Sequence, residues 1–515
     1  MTISKHSSSL VTPLPGTLGE LKGSGYRYRP VKQELRENAL RALGEGRALF
    51  PDMIGYEDSV VPQLIQGVLS GHDILLLGLR GQAKTRLLRS LGELLDPYIP
   101  IIDASEAGVD LPDDPLSPLT PSGRRVVESR GDAAPIRWMN RRARYHEKLA
   151  TPDVTIADLI GEIDLVKHAE GRYLSDEATI HFGMVPRSNR GLFVINELPD
   201  LAPRIQVGLF NVLEERDVQV RGYPIRLDLD LCLFFSANPE DYTNRGRIVT
   251  PLKDRIGSVV RTHYPSDNRE AMRITRENAF IERGAGAAGQ SGRSAEADRA
   301  EPPFCNWPVP KPPTVELPPV MHEIVEETIR LARRSPHVNQ ASGVSVRASI
   351  ASVESLVSAA ERRALRSGES RVVTRVVDAV HLAAALRGKI ELMLSEDAGD
   401  GASTEDRLIG ALFGEAVKGV VGRHLQLDAV APIAQPFASG LKLHLDDRTT
   451  ADGALESMRL VEGLVPAAKV LARRLELDQN DPQLLALAGE LVLEFLYVNN
   501  RLSKLAGAGG RGYAR

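Results

Sequence analysis

Cysteine is nearly missing from this chain: two occur in 515 residues, Cys232 inside an apolar run and Cys305 in a proline-rich stretch. Neither a disulfide framework nor a cysteine-built zinc site can be assembled from two such residues alone. No apolar run is long enough to span a bilayer. A basic excess is also missing, with 64 basic against 68 acidic residues and a formal charge of −4. That balance argues against a dedicated nucleic-acid binder, while leaving room for a local basic groove. The opening MTISKHSSSLVTPLPG lacks the apolar core of a secretory signal, so a cytoplasmic location is the expectation. What is present is a globular composition, 42% hydrophobic and 26% charged, in a chain too long for one core. Length alone suggests about three domains.

The stretch DILLLGLRGQAKTRLLR, Asp73 to Arg89, carries the strongest local pattern. Ile74 to Leu77 reads as a strand buried on both faces of a parallel sheet. From Thr85 onward Leu87, Leu88, Leu91, Leu94 and Leu95 recur at helical spacing. Between them, Gly78-Leu79-Arg80-Gly81-Gln82-Ala83-Lys84-Thr85 fits a phosphate loop at its first Gly, its Lys and its Thr, but has Ala83 where the last Gly is usual. In such a loop, backbone N–H groups surround the phosphates, Lys84 reaches their oxygens and Thr85 ligates Mg²⁺, and the expected nucleotide-binding set is Gly78, Arg80 to Thr85 and Arg86. The alternative is an ordinary strand-to-helix turn with a surface lysine. A residue other than glycine at position 83 is mildly strained if φ is positive there, unless Gly81 supplies the freedom earlier in the loop.

Before this stretch, residues 1–45 read as a loose Ser-, Gly- and Pro-rich tail followed by a polar helix from Val31. After it, Ile99–Ile102 is a candidate second strand, and 108–150, with its prolines and arginines, reads as an irregular insertion. Its arginines suit an acidic partner, nucleic acid or, the favoured reading, a solvated face, and His146 has no Cys or His at ligand spacing. Residues 160–188 break into short pieces expected to form a projecting hairpin-and-helix insertion. Gly191 to Glu197, GLFVINE, is a buried strand whose tip delivers Asn196 and Glu197. A strand over Leu227–Phe235 ends before Ser236-Ala237-Asn238, placing Asn238 just past its tip. PLKDR and Val259-Val260 supply a short helix and a last strand. Alternation of strands and helices from Ile74 to Tyr264 specifies a three-layer αβα domain with a parallel sheet, bounded at 46–268. A linker over 269–320 follows, with eight prolines between Pro302 and Pro319. Helical patterns fill 321–400 and 401–505, and 506–515 reads as a loose tail.

In order and spacing, GLRGQAKT, LFVINE, SANPE, PLKDR and SVRAS resemble the AAA+ ATPases. More narrowly, TPDVTIADLIGEIDL, PRSNRGLFVINELPDL and VLEERDVQVRG resemble the magnesium-chelatase ATPase subunit and MoxR-type branch. The resemblance covers roughly residues 46–400 and implies a P-loop core followed by an all-α lid, here 321–400, with a C-terminal helical region behind it. It also implies ATP and Mg²⁺ as cofactors, Glu197 as the residue polarising the attacking water, and Asn238 as first sensor. By the same resemblance Arg255 is the arginine finger acting on a neighbouring subunit, with Arg245 and Arg247 as substitutes, and Arg347 is the second sensor. Ile54 and Tyr56 suit either an adenine pocket or core packing. The family's usual Asp-Glu pair is Asn196-Glu197 here, so a charge supporting Mg²⁺ is lost and a slow ATPase is expected. Implied partners are further copies in a hexameric ring and a protein substrate or partner, a companion with a metal-dependent adhesion domain among them. The competing functions are a motor subunit for metal insertion into a tetrapyrrole and a nucleotide-gated scaffold with little turnover.

Overall fold

The computed structural model describes residues 14–104, 111–163, 180–214, 217–219, 226–239, 248–281, 313–340, 343–392, 404–446, 449–505 and 510–514. The expectations for Arg245 and Arg247, for the middle of the 160–188 insertion and for most of the linker therefore lie outside the described residues. Two compact units are present: residues 1–79 with 83–263, and 80–82 with 264–515.

The first unit is built on five strands, β1 (Ile74–Leu77), β2 (Tyr145–Leu149), β3 (Gly191–Asn196), β4 (Leu231–Ala237) and β5 (Ser258–Arg261). They lie in the order 5-1-4-3-2, and every pairing is parallel. Side chains alternate across the sheet, as the period of two requires. Ile74, Leu76, Leu192, Val194, Cys232, Phe234 and Val260 join one core. Leu75, Phe193, Ile195, Leu233 and Phe235 join the other. Helix α2 (Val31–Gly44), α3 (Val60–Leu69) and α4 (Lys84–Leu91) cover the first face through Leu35, Leu64, Leu87 and Leu88. Ile205, Leu209 and Val212, on the short helices Pro203–Gly208 and Phe210–Glu214 and the turn between them, cover the second with Leu252. This is the three-layer αβα architecture expected from the alternation of elements.

Four local expectations are corrected. Ile99–Ile102 is extended but does not enter the main sheet; Tyr98–Ile102 pairs antiparallel with Ile136–Asn140. The sheet position belongs to Tyr145–Leu149, at the end of the stretch read as an irregular insertion. That stretch also holds a helix at Pro121–Arg130, whose Thr120 cap accepts from Gly123 N. Residues 14–30 are ordered rather than loose: α1 (Leu18–Gly23) buries Leu18 and Leu21 against Ile102, Ala134 and Ile136. The strand read over Leu227–Phe235 is divided, with Arg226–Asp228 in a hairpin with Asp217–Gln219 and Leu231–Ala237 in the sheet. The insertion expected at 160–188 does begin and end as an antiparallel pair, Gly161–Ile163 with Ile180–Phe182.

The second unit is mostly helical, as expected. Helices α5 (Pro319–Arg334), α6 (Val346–Ser367), α7 (Thr404–Gly422) and α8 (Pro482–Val498) supply much of its framework. Met321, Ile324, Val353, Leu356, Val417 and Leu491 belong to one hydrophobic core, so the segments 321–400 and 401–505 are not separately cored. Small sheets accompany the helices. Thr314–Glu316 pairs in parallel with Arg371–Val373, and Gly510–Ala514 lies between Leu443–Asp446 and Ser503–Leu505. The loose tail expected at 506–515 is thus a strand over 510–514. Tyr513 is buried and its hydroxyl donates to Glu494 at 2.8 Å, an anchor invisible in a Gly-rich sequence. Among the described residues, no helix is long and apolar enough to cross a membrane.

Candidate functional site

Three adjacent strands, β1, β4 and β3, end together, with Leu77 level with Ala237 and Phe235 level with Ile195. In an open parallel sheet the crevice beyond these carboxyl ends is where ligands bind. Beyond β1 the chain turns through Gly81 (φ 74°) and Ala83 (φ 54°) and enters α4 at Lys84. Both residues are left-handed, so Gly81 does not relieve Ala83; the alanine carries a strain of about 1 kcal/mol itself. Among the described residues no side chain caps α4. Its first-turn N–H groups and dipole therefore face the loop, the arrangement that receives an anion.

Lys84 is buried at 7% exposure, and acceptors among the described residues direct its ammonium. It donates to the Gly78 carbonyl, to the Leu79 carbonyl at 3.0 Å and to Asn238 Oδ1 at 2.7 Å. Asn238 Nδ2 donates in turn to Glu197 Oε2 at 2.7 Å. An amide between an ammonium and a carboxylate has one satisfactory orientation, oxygen to the lysine and nitrogen to the glutamate. Glu197 sits at φ 55°, a left-handed conformation unusual outside glycine, which turns its carboxylate off the strand tip.

Asn196 is buried at the end of β3, and its Oδ1 accepts from the Ser236 hydroxyl at 3.1 Å. Ser236 Oγ also accepts from the Glu197 N–H at 3.2 Å. Ser236 was passed over in the sequence reading. The available signal was a hydroxyl in the otherwise apolar run LCLFFSA: such a group, 1% exposed, must find partners within the fold.

The structure therefore brings together Gly78, Lys84, Asn196, Glu197 and Asn238, all in the first unit. Thr85 follows Lys84 on the first turn of α4 and is half-buried. Gln82 is buried, and Arg80 pairs with Glu391 at 2.7 Å within the second unit. Arg86 faces Asp52 at 3.9 Å across exposed surface, a pair worth at most about 1 kcal/mol. Ile54 and Tyr56 are buried; the Tyr56 hydroxyl donates to the His263 carbonyl at 2.8 Å and its ring meets His263 edge-on at 5.1 Å. Arg255 ends the helix Thr250–Arg255, donating to the Pro251 carbonyl at 2.9 Å with its guanidinium 5.0 Å over the Phe210 ring. Arg347 is exposed in the first turn of α6, in the second unit.

The donor set fits Mg²⁺–nucleotide better than a free cation. An ammonium, an uncapped helix N-terminus and a hydroxyl suit phosphate oxygens and a metal shared with them. Among the described residues no group of three His, Cys, Asp or Glu side chains could hold a metal by itself, and Mg²⁺ in phosphate sites needs only one or two protein ligands.

No family model matches the sequence, and no curated protein matches it. Solved structures resemble it at low similarity. A complex of the magnesium chelatase subunits BchI and BchD is 22% identical, over 45% of this chain and 67% of that one, with a TM-score of 0.33. A candidate ATPase from Cytophaga hutchinsonii is 17% identical over 76% and 97%, with a TM-score of 0.29. NtrX from Brucella abortus in complex with ADP is 12% identical over 66% and 53%, with a TM-score of 0.30. At these values the likenesses carry no argument; the 5-1-4-3-2 sheet and the Gly78–Thr85 loop define the fold by themselves.

Proposed function

We propose that this chain binds and hydrolyses ATP as an AAA+ ring ATPase, assembling with further copies of itself to remodel or activate a partner protein. The observation that carries this reading is the hydrogen-bonded line Lys84–Asn238–Glu197 across three adjacent strand tips, beside an uncapped helix N-terminus. Bound Mg²⁺–ATP would supply the phosphoryl group and its charge-neutralising metal. Lys84 exchanges its carbonyl and amide acceptors for phosphate oxygens, and the N–H groups entering α4 hold the remainder. Thr85 offers its hydroxyl to the metal. Glu197 polarises the attacking water, and Asn238 fixes the carboxylate that does so. Arg255 and Arg347 stabilise charge on the transferred group, Arg255 from a neighbouring copy. Ile54 and Tyr56 border the adenine.

A nucleotide-gated scaffold with little turnover is the second reading, and Asn196 favours it. Its neutral amide offers a bound Mg²⁺ no charge, and one lone pair of its oxygen is already engaged by Ser236. Steady-state hydrolysis and nucleotide titration on four proteins separate these readings. Wild type should bind ATP and turn it over slowly, Asn196→Asp should be faster, and Lys84→Ala should lose binding. Glu197→Gln should keep binding while losing about a hundredfold or more in turnover. Turnover unchanged in Glu197→Gln would remove Glu197 as the base; tight binding with no wild-type turnover would select the scaffold.

A further inference from the structure

The outer limb of the phosphate loop, Arg80–Gln82, groups with the second compact unit. There the Tyr264 hydroxyl donates to the Arg80 carbonyl at 3.0 Å. Ser345 lies so close to Gly81 that a Cβ at that position would stand 2.0 Å from its Oγ, and Gly81 is left-handed besides. Only glycine fits there.

Behind Tyr264 stands an arginine that the proposed chemistry does not use. The Arg333 guanidinium lies 4.2 Å over the Tyr264 ring, and its Nε donates to the Val344 carbonyl at 2.8 Å. Val344 precedes Ser345, whose hydroxyl caps α6 by accepting from the Arg347 N–H at 3.1 Å. Arg333 Nη2 is buried without a hydrogen-bond partner among the described residues. A long cationic side chain ordered at that cost is set by its stacking on the tyrosine and its bond to Val344.

We propose that Tyr264 and Arg333 are positioning residues for the phosphate loop: Arg333 fixes the plane of the Tyr264 ring, and Tyr264 fixes the peptide between Arg80 and Gly81. A trans peptide is planar, so directing the Arg80 carbonyl to one side directs the Gly81 N–H to the other. That N–H is among the donors a phosphate loop presents, and its orientation sets nucleotide affinity. The proposal rests on the nucleotide-binding reading of the loop and adds two residues that touch no nucleotide.

The test uses the full chain, a fluorescent ATP analogue for Kd, steady-state hydrolysis for KM and kcat, and thermal unfolding. Tyr264→Phe removes only the hydroxyl and keeps the ring under Arg333. It should raise Kd and KM about three- to tenfold, the worth of one hydrogen bond, with little change in kcat or Tm. Arg333→Met should raise them comparably, and Arg333→Lys, which keeps charge without a planar face, should recover part of the loss. Because Arg333 acts through Tyr264, the double variant Tyr264→Phe/Arg333→Met should be no worse than the weaker single variant. A Tyr264→Phe Kd within twofold of wild type, while Lys84→Ala loses binding, would overturn the positioning role and leave nucleotide binding intact. Additive losses in the double variant would overturn the link between the two residues. Failure of the wild type itself to bind nucleotide would remove both proposals.

Discussion

His322 shows how strongly one residue's surroundings can bias the fold. It is buried on α5, and burial first, then Arg276, lowers its pKa to about 4. Glu326, 3.8 Å away, accepts from Thr275 and is pushed upward by its own burial; Ser349 and Arg333 also act on it. The imidazole is therefore neutral in the folded chain and ordinary, near 6.5, once unfolded. Its stabilising contribution is complete above about pH 6.5 and is lost as pH falls toward 4, because the unfolded state takes up the proton first. Urea unfolding of wild type against His322→Leu should show the wild type losing about 2 kcal/mol more between pH 7 and pH 5. Equal pH slopes would show that His322 is not the titrating group. At the same scale, Ala83 and Glu197 are the two positions where a non-glycine residue takes a left-handed conformation within the candidate site. Their motifs marked both in the sequence as candidate site residues. It could not show that both are strained, because φ is set by where the loop and strand tip must deliver their neighbours.

Among the elements, the edge strand β2 is the instructive failure of sequence reading. Among the described residues Tyr-His-Glu-Lys-Leu has one neighbour, β3, and its polar side chains give no continuous apolar run. Charges such as Glu147 and Lys148 are how an edge strand avoids pairing with another chain, and they erase the signal by which a buried strand is recognised. What ties this strand in is a buried ion pair. Arg144, just before β2, donates from Nη1 and Nη2 to the Glu34 carboxylate of α2 at 2.7 and 2.6 Å, and from Nε to the Arg190 carbonyl at 2.7 Å. The two side chains are 1% and 4% exposed. Removing one partner strands the other charge, so Glu34→Ala should cost about 3–5 kcal/mol in denaturant unfolding. Replacing both, as Glu34→Met with Arg144→Leu, should recover most of the loss. A single variant as stable as wild type would mean that the pair does not anchor the strand.

For the whole molecule, the proposed ring makes a prediction that no single chain can meet. Glu197→Gln and Arg255→Ala should each abolish most hydrolysis while retaining ATP binding. Mixed after exchange of subunits, they should recover part of it, because an Arg255→Ala subunit keeps its own Glu197 and borrows Arg255 from its neighbour. No recovery, with mixed assemblies demonstrated, would place Arg255 outside a trans role. Much of the architecture was readable beforehand. The runs ILLL, GLFVIN and LCLFFSA are buried on both faces, and hydrophobic burial requires such strands to be apolar throughout. The pattern of the proposed phosphate loop was readable because backbone approach to an anion demands particular small residues at fixed spacing. Sequence by itself therefore determined the central strands, the loop between β1 and α4, and the polar residues at the strand tips. Only the tertiary structure decided that YHEKL completes the sheet, that Gly510–Ala514 closes a small one, and that Ser236 joins Asn196 to Glu197. Each of these depends on a partner distant in the chain. Hydrogen bonds and ion pairs between remote segments leave no periodic trace in either segment alone, whereas burial against water does.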